Sequence, residues 1–437
     1  MSEQMARCSW FLVGLPCLLF GCETDDPQGL QDVGGAVGAG GGDAKPQALV
    51  FVQVNSTVAP VSGLDILVHD SSGALLRRGV STSPALAIAA HPGDTVGLVR
   101  RDSESSDPED GWLIESVRVT QETHAISFVV DPESPVEPPN APIDLQIEAE
   151  RASAVTELFV GASCVGDMLT TGSATFLNYA GCPDGSASFV FAFGLDADGG
   201  LLTFASASVN HGDQTQAIDL PATPVPMFNG HIELSWTDLD VLGVQGGTVL
   251  GGSIFSFMDP DTWELMAEAS PASPIVYDPR IASSMGARVH IQAEVNDASG
   301  CGGLATIDRF LGLESEQWQL DRLAFASIAV DPYQWSLPAG GRGDAVVIDL
   351  DFHHGSYRWV EPPINGEHAV AFPELPDDLA GHFDPNRDDL DSFYVTNDER
   401  DGTADYLEYV AAGTSNRGFS KDTGQAAQVG PCIGATD

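Results

Sequence analysis

Short runs of Val, Ile and aromatic residues, each closed by Gly, Pro, Ser or Asp, recur along this chain about every ten positions. In residues 47–131 they read ALVFVQV, LDILVHD, TVGLVRR, SVRVTQ and AISFVVD. In 143–226 they read IDLQIEAE, SASFVFAFG, LLTFASASV and TQAIDL. In 227–378 they read HIELSWTDL, GARVHIQAEV, AFASIAV and DAVVIDLDF, and VAFPELPDDLAG reads as that region's final strand and exit. Runs of this length and composition favour strands, and the turn spacing favours sandwiches. The helical candidates are short, ATIDRFLGL at 305–313 and ESEQWQLDRLAF at 314–325. A hydrophobic content of 43% supplies several cores and excludes a disordered acidic chain. The expected architecture is mainly β, several β-sandwich (Ig-like) modules in tandem with a short calcium-loop segment at the C-terminus.

Two Pro-rich stretches divide the chain, DPESPVEPPNAP at 131–142 and PATPVP at 221–226. They bound expected modules at 47–131, 143–226 and 227–378, followed by an acidic tail at 379–437. Within the first, residues 58–99 place a D-x-x-G turn at Asp70–Gly73 and a PGD turn at Pro92-Gly93-Asp94. That order of strands and turns resembles the carboxypeptidase-regulatory-like Ig modules. The resemblance implies an accessory, non-catalytic role for about eighty residues.

An apolar run from Trp10 to Phe20 ends at Cys22, and the chain turns acidic at once. The run is too short to span a bilayer, which takes roughly 20 residues, but it fits a signal-peptide core. The stretch LFGC at 19–22 resembles the bacterial lipobox. The resemblance implies cleavage before Cys22, acylation of that cysteine and attachment to the membrane; Phe20 stands where a smaller residue is usual. An ordinary secretory signal is the other reading. Residues 23–46 are Gly-rich, acidic and without apolar period, which describes a flexible tether.

The net charge is −45, and only Lys45 and Lys421 are lysines. Such a chain repels nucleic acid and anionic headgroups, which excludes nucleic-acid binding. Beyond Cys22 four cysteines remain, Cys164, Cys182, Cys301 and Cys432. An even number in an exported chain reads as two disulfides with three pairings open, the favoured one joining Cys164 to Cys182 and Cys301 to Cys432.

One stretch carries a metal-binding pattern. Over 397–408, Asn397, Glu399, Asp401, Thr403, Asp405 and Glu408 fall at calcium-loop spacing, with Gly402 at the sharp turn. This stretch resembles bacterial thrombospondin-type-3 and EF-hand-like repeats, which implies calcium as the cofactor. Upstream, Asp384, Asn386, Asp388, Leu390 and Ser392 repeat the alternation incompletely.

Other signals are weaker. The Arg342-Gly343-Asp344 tripeptide is read as a turn, and DADGG at 196–200 as a hairpin turn. His353 and His354 are read as strand neighbours on opposite faces, and the tryptophans as core. The leading expectation is a non-catalytic, lipid-anchored protein of the bacterial envelope, exported to the outer membrane, its surface or its periplasmic face. Its partners would be the membrane through Cys22 and a protein or glycan ligand. The rival is a glycosidase-like hydrolase using carboxylates such as Asp238, Asp240, Asp349 and Asp351.

Overall fold

The computed structural model describes residues 30–31, 48–56, 63–80, 85–101, 111–130, 143–150, 152–162, 165–170, 174–179, 189–197, 201–210, 215–220, 230–250, 253–255, 265–266, 275–277, 288–296, 302–310, 312, 314–330, 333–380, 390–413 and 424–430. The protein is mainly β. Its described strands group into four successive units, three of one topology and a fourth that repeats six of its seven positions. In unit one the strands, in order, are Ala48–Ser56, Asp65–His69, Leu75–Val80, Ala85–Ala90, Thr95–Arg101, Trp112–Arg118 and Ala125–Val130. The first pairs antiparallel with the fourth and parallel with the seventh. The third, second, fifth and sixth form the facing sheet in that order.

Unit two repeats this with Ile143–Ala149, Glu157–Ala162, Val165–Thr170, Ala174–Tyr179, Phe189–Leu195, Leu201–Ser208 and Thr215–Leu220. Unit three repeats it with Ile232–Ser235, Asp240–Leu250, Ser253–Phe255, Ile275–Tyr277, Arg288–Asn296, Gly302–Phe310 and Glu316–Gln319. A two-residue strand, Leu265–Met266, also pairs with its second strand. Unit four supplies six positions, Tyr333–Leu337, Ala345–Phe352, Gly355–Glu361, Gly366–Ala369, Leu390–Arg400 and Gly424–Val429. The seventh place is taken by Ser327–Val330, which precedes the unit and lies antiparallel to its first strand.

The units fuse at their edges. The sixth strand of unit one pairs parallel with the third of unit four. The sixth strands of units three and four pair antiparallel with each other. One sheet therefore runs through units one, four and three. Its two faces carry separate cores. Ile66, Val96 and Val117 share one core with Val347, Val360, Tyr406 and Tyr409 of unit four. Leu67, Val99 and Ile114 share the other with Ile348, Trp359, Phe393 and Val395. Each fully buried apolar side chain contributes roughly 1.5–3 kcal/mol.

Four expectations are corrected. Residues 379–437 are not a tail, because Leu390–Arg400 and Gly424–Val429 are interior strands of unit four. The candidate helices at 305–313 and 314–325 contain strands Gly302–Phe310 and Glu316–Gln319. There Gly303, Ala305 and Ile307 alternate inward, a period of two that overrides helical propensity. Leu30–Gln31, inside the expected tether, pairs with the third strand of unit one. Residues 370–376 form no strand and lead into the helix Asp377–Ala380.

That last segment is a strap across unit one. Asp70 closes its turn by accepting from Ser72 N, Ser72 Oγ and Ala74 N at 2.8, 2.6 and 3.0 Å. The Ser72 hydroxyl above all holds its carboxyl below the usual range. Gly73 has φ 88°, and a Cβ there would stand 2.3 Å from Phe372 O, so only glycine admits the strap. Glu374 N donates to Gly73 O at 2.7 Å, and Arg78 bridges Asp65 and Asp378, each at 2.7 Å. Buried His69 donates from Nε2 to Glu374 O at 3.0 Å, while its Nδ1 has no partner.

Burial holds the His69 imidazole below its ordinary 6.5, against the opposing pull of Glu374 and Asp70. The neutral ring is the folded form. Its stabilising contribution is full above 6.5 and is lost as pH falls below that value. Urea unfolding of the wild type is expected to show lower stability at pH about 5.5 than at about 7.5. His69→Gln, which keeps a donor for Glu374 O, should flatten that dependence. An equally steep loss in the variant would sink the assignment.

Candidate functional site at the end of strand 390–400

Leu390–Arg400 lies between Ala345–Phe352 and Gly424–Val429, paired on both edges. Phe393, Val395 and Asn397 alternate onto one buried face. Asp398 and Arg400 are also buried. The strand ends at Arg400, the chain reverses at Gly402 with φ 93°, and helix Tyr406–Ala412 follows.

Fully buried Asn397 spends its amide on the backbone. Nδ2 donates to Ala324 O at 2.9 Å and Gly341 O at 2.8 Å, and Oδ1 accepts from Gly343 N at 2.7 Å. A Cβ on Gly343 would sit 2.2 Å from Asp398 O, so that glycine permits the approach. Asp344 N donates to Asp398 O at 2.7 Å, and its carboxylate accepts from Arg400 N at 2.9 Å and Thr403 Oγ1 at 2.5 Å. The Arg342-Gly343-Asp344 tripeptide is thus a structural turn docked on this strand.

On the opposite side, Arg400 and Asp398 form an ion pair at 3.7 Å with side chains 3% and 6% exposed. Tyr409 Oη donates to Asp398 at 2.7 Å and accepts from Arg400 Nη2 at 3.1 Å. The Arg400 guanidinium lies 4.0 Å from the Tyr409 ring centroid and also donates to Gly413 O. Tyr406 Oη shares its single proton between Arg118 O of unit one at 2.7 Å and Val360 O of unit four at 3.0 Å. Burial, above all, pushes the Tyr406 phenol well above its ordinary range, so it stays a neutral donor.

The expected calcium loop is not assembled from these residues. Asn397 is consumed inside the sheet. Glu399 pairs with Arg322 at 2.5 Å, and burial raises its carboxyl despite that partner. Asp401 lies 4.0 Å from Arg309, and Thr403 serves Asp344. Asp405 is the helix N-cap, accepting from Leu407 N and Glu408 N at 2.9 and 3.1 Å. Glu408 accepts from Ala404 N at 2.8 Å. Asp405 and Glu408 stand at capping-box spacing, and that was the signal in the sequence for a helix start rather than an ion. Among the described residues, no group of three or more His, Cys, Asp or Glu is placed to hold a metal ion. In the weaker set, half-buried Leu390 packs on the unit-four core and Ser392 Oγ donates to Asp351 at 2.5 Å. Asp384, Asn386 and Asp388 lie outside the described residues, as do Cys22, Cys164, Cys182, Cys301 and Cys432.

Of the rival's carboxylates, Asp349 and Asp351 stand two residues apart on one face of the strand Ala345–Phe352, and each is engaged by a neighbour. Asp349 is held by Arg358 at 2.7 and 3.2 Å, and Asp351 by Ser392. Asp240 accepts from Asn296 at 3.4 Å, and Asp238 is exposed on unit three. His353 and His354 form the turn between strands Ala345–Phe352 and Gly355–Glu361, with ring centroids 4.7 Å apart, rather than sitting within a strand. Trp236, Trp318, Trp335 and Trp359 are buried. Of the stretch 196–200, residues 198–200 lie outside the described residues.

No known protein-family profile matches the chain, and no curated protein is similar to it. Among solved structures, it aligns with a Ca2+-stabilised adhesin with which an Antarctic bacterium binds ice, at 11% identity and a TM-score of 0.12, over 86% of this chain and 98% of that one. A shaft pilin of Lactobacillus rhamnosus GG aligns at 8% identity and TM-score 0.13, over 42% of this chain and 99% of that one. A streptococcal ancillary pilin aligns at 8% and 0.13, over 62% and 98%.

Substituting Asn397 separates a buried strut from an ion ligand. Asn397→Asp would place a carboxylate against the carbonyls of Ala324 and Gly341, and is expected to cost at least about 2 kcal/mol in urea unfolding. At position one of a calcium loop the same change would raise the melting temperature in millimolar calcium relative to EDTA. That rise would overturn the assignment of Asn397 as a strut.

Proposed function

We propose that this chain is a non-catalytic module of the bacterial envelope that binds or spaces other components, held at the membrane through acyl chains on Cys22. The supporting observation is the recurrence of one sandwich topology in three units and of six of its seven strand positions in a fourth, with three of the units fused into one sheet. Fusion of that kind joins the cores of units one, four and three into one hydrogen-bonded body. The residues carrying the strongest chemical pattern in the sequence are engaged in holding that body together. The order of the C-terminal strands is assigned to the Asn397, Asp398, Arg400 and Tyr409 hydrogen bonds rather than to calcium at 397–408.

Two or more acyl chains on Cys22 would supply the multiple anchors that stable attachment requires. No helix among the described residues is long and apolar enough to cross a membrane. The charge of −45 directs the exposed surface towards neutral or cationic partners, a protein or a glycan, and away from nucleic acid.

The test is metabolic labelling with a palmitate analogue, followed by fractionation. The wild-type chain is expected in the membrane fraction carrying label. Cys22→Ser should be unlabelled and released in soluble form on opening the envelope. An unlabelled wild type recovered in the soluble fraction would sink the anchor.

A further inference from the structure

The sixth strands of units one, three and four each have a partner on their outer edge. In unit two the sixth strand, Leu201–Ser208, is the last strand of its sheet and has no outer strand partner among the described residues. We propose that this edge is an interaction surface for a second copy of the chain. The two Leu201–Ser208 strands would pair antiparallel about a two-fold axis.

The molecule already contains this joint. Unit three, which shares the topology of unit two, and unit four, which repeats six of its seven positions, meet through antiparallel sixth strands, with Gly303–Asp308 paired to Gly424–Val429 over six positions. In unit two, Leu202 is the bulged residue and Thr203–Ser208 is the regular run, also six positions. An antiparallel pair of identical strands is self-complementary, so it closes as a dimer. A parallel pairing of this edge with a different strand would propagate into a fibre.

The edge lacks the features that normally block such pairing. The sequence LLTFASAS contains no Pro, no Lys and none of the 63 acidic residues. Ser208 is an exposed small polar residue, which fits a ladder between copies. The charge on each copy opposes association elsewhere on the surface, so salt must favour the dimer by screening that repulsion.

Sedimentation of the full chain from residue 23, at salt between about 20 and 500 mM, tests this directly. A dimer that strengthens with salt is expected, together with hydrogen exchange in 201–208 slowed by about tenfold on raising protein concentration. Ser208→Lys should weaken the dimer by at least about tenfold while leaving the melting temperature unchanged. The proposal fails if the chain is monomeric throughout, if it forms open polymers, or if the dimer forms without protecting 201–208. That last measurement uses the wild type alone, so it decides the matter even where the variant does not fold.

Discussion

A backbone N–H or C=O removed from water must find a partner, and in a chain of short strands that partner is the edge of another strand. Here this requirement is met by building one sandwich repeatedly and joining sheet edges between copies. The strand Leu390–Arg400 shows the consequence. Both its edges are paired, and its side chains enter the cores that units one and four share. Removing it would open the sheet between its two neighbours in the fourth unit.

The polar cluster at the end of that strand follows from the same constraint. A strand leaving the sheet interior must turn and hand its chain to a helix without stranding backbone groups. Asn397 and Asp344 satisfy the turn at 341–344, Arg400 caps Gly413 O, and Asp405 caps the helix start. A buried arginine beside Asp398 is costly to desolvate, and the Tyr409 hydroxyl and ring offset part of that cost. A cluster with every member engaged specifies one arrangement of strand, turn and helix.

Calcium loops and capped strand exits draw on the same residue types, which explains why the ligand pattern misleads. Both need short oxygen-bearing side chains on alternate positions, a glycine at a sharp turn, and an acid near a helix start. The Asp405 and Glu408 pair fits either use. The direction of Asn397, inward towards Ala324 and Gly341, separates them, and it depends on segments more than fifty residues away.

Strand composition and turn chemistry were local, and the sequence alone determined them. The Asp70–Gly73 turn, the strand periods in 143–149 and 345–352, and the shortness of the helices among the described residues could all be read from residue order. The strands at 302–310 and 316–319 were not legible, because Leu304, Ala305 and Arg309 in the first and the Glu and Gln residues of the second suit a helix until a neighbouring sheet imposes a period of two. The recurrence was equally hidden, since the repeated topology is carried by which edges pair and not by similar residues. Only the tertiary structure decided that the strands at 390–400 and 424–429 lie inside unit four and that Asn397 faces inward. Both are long-range choices, set by burial and edge pairing between segments distant along the chain.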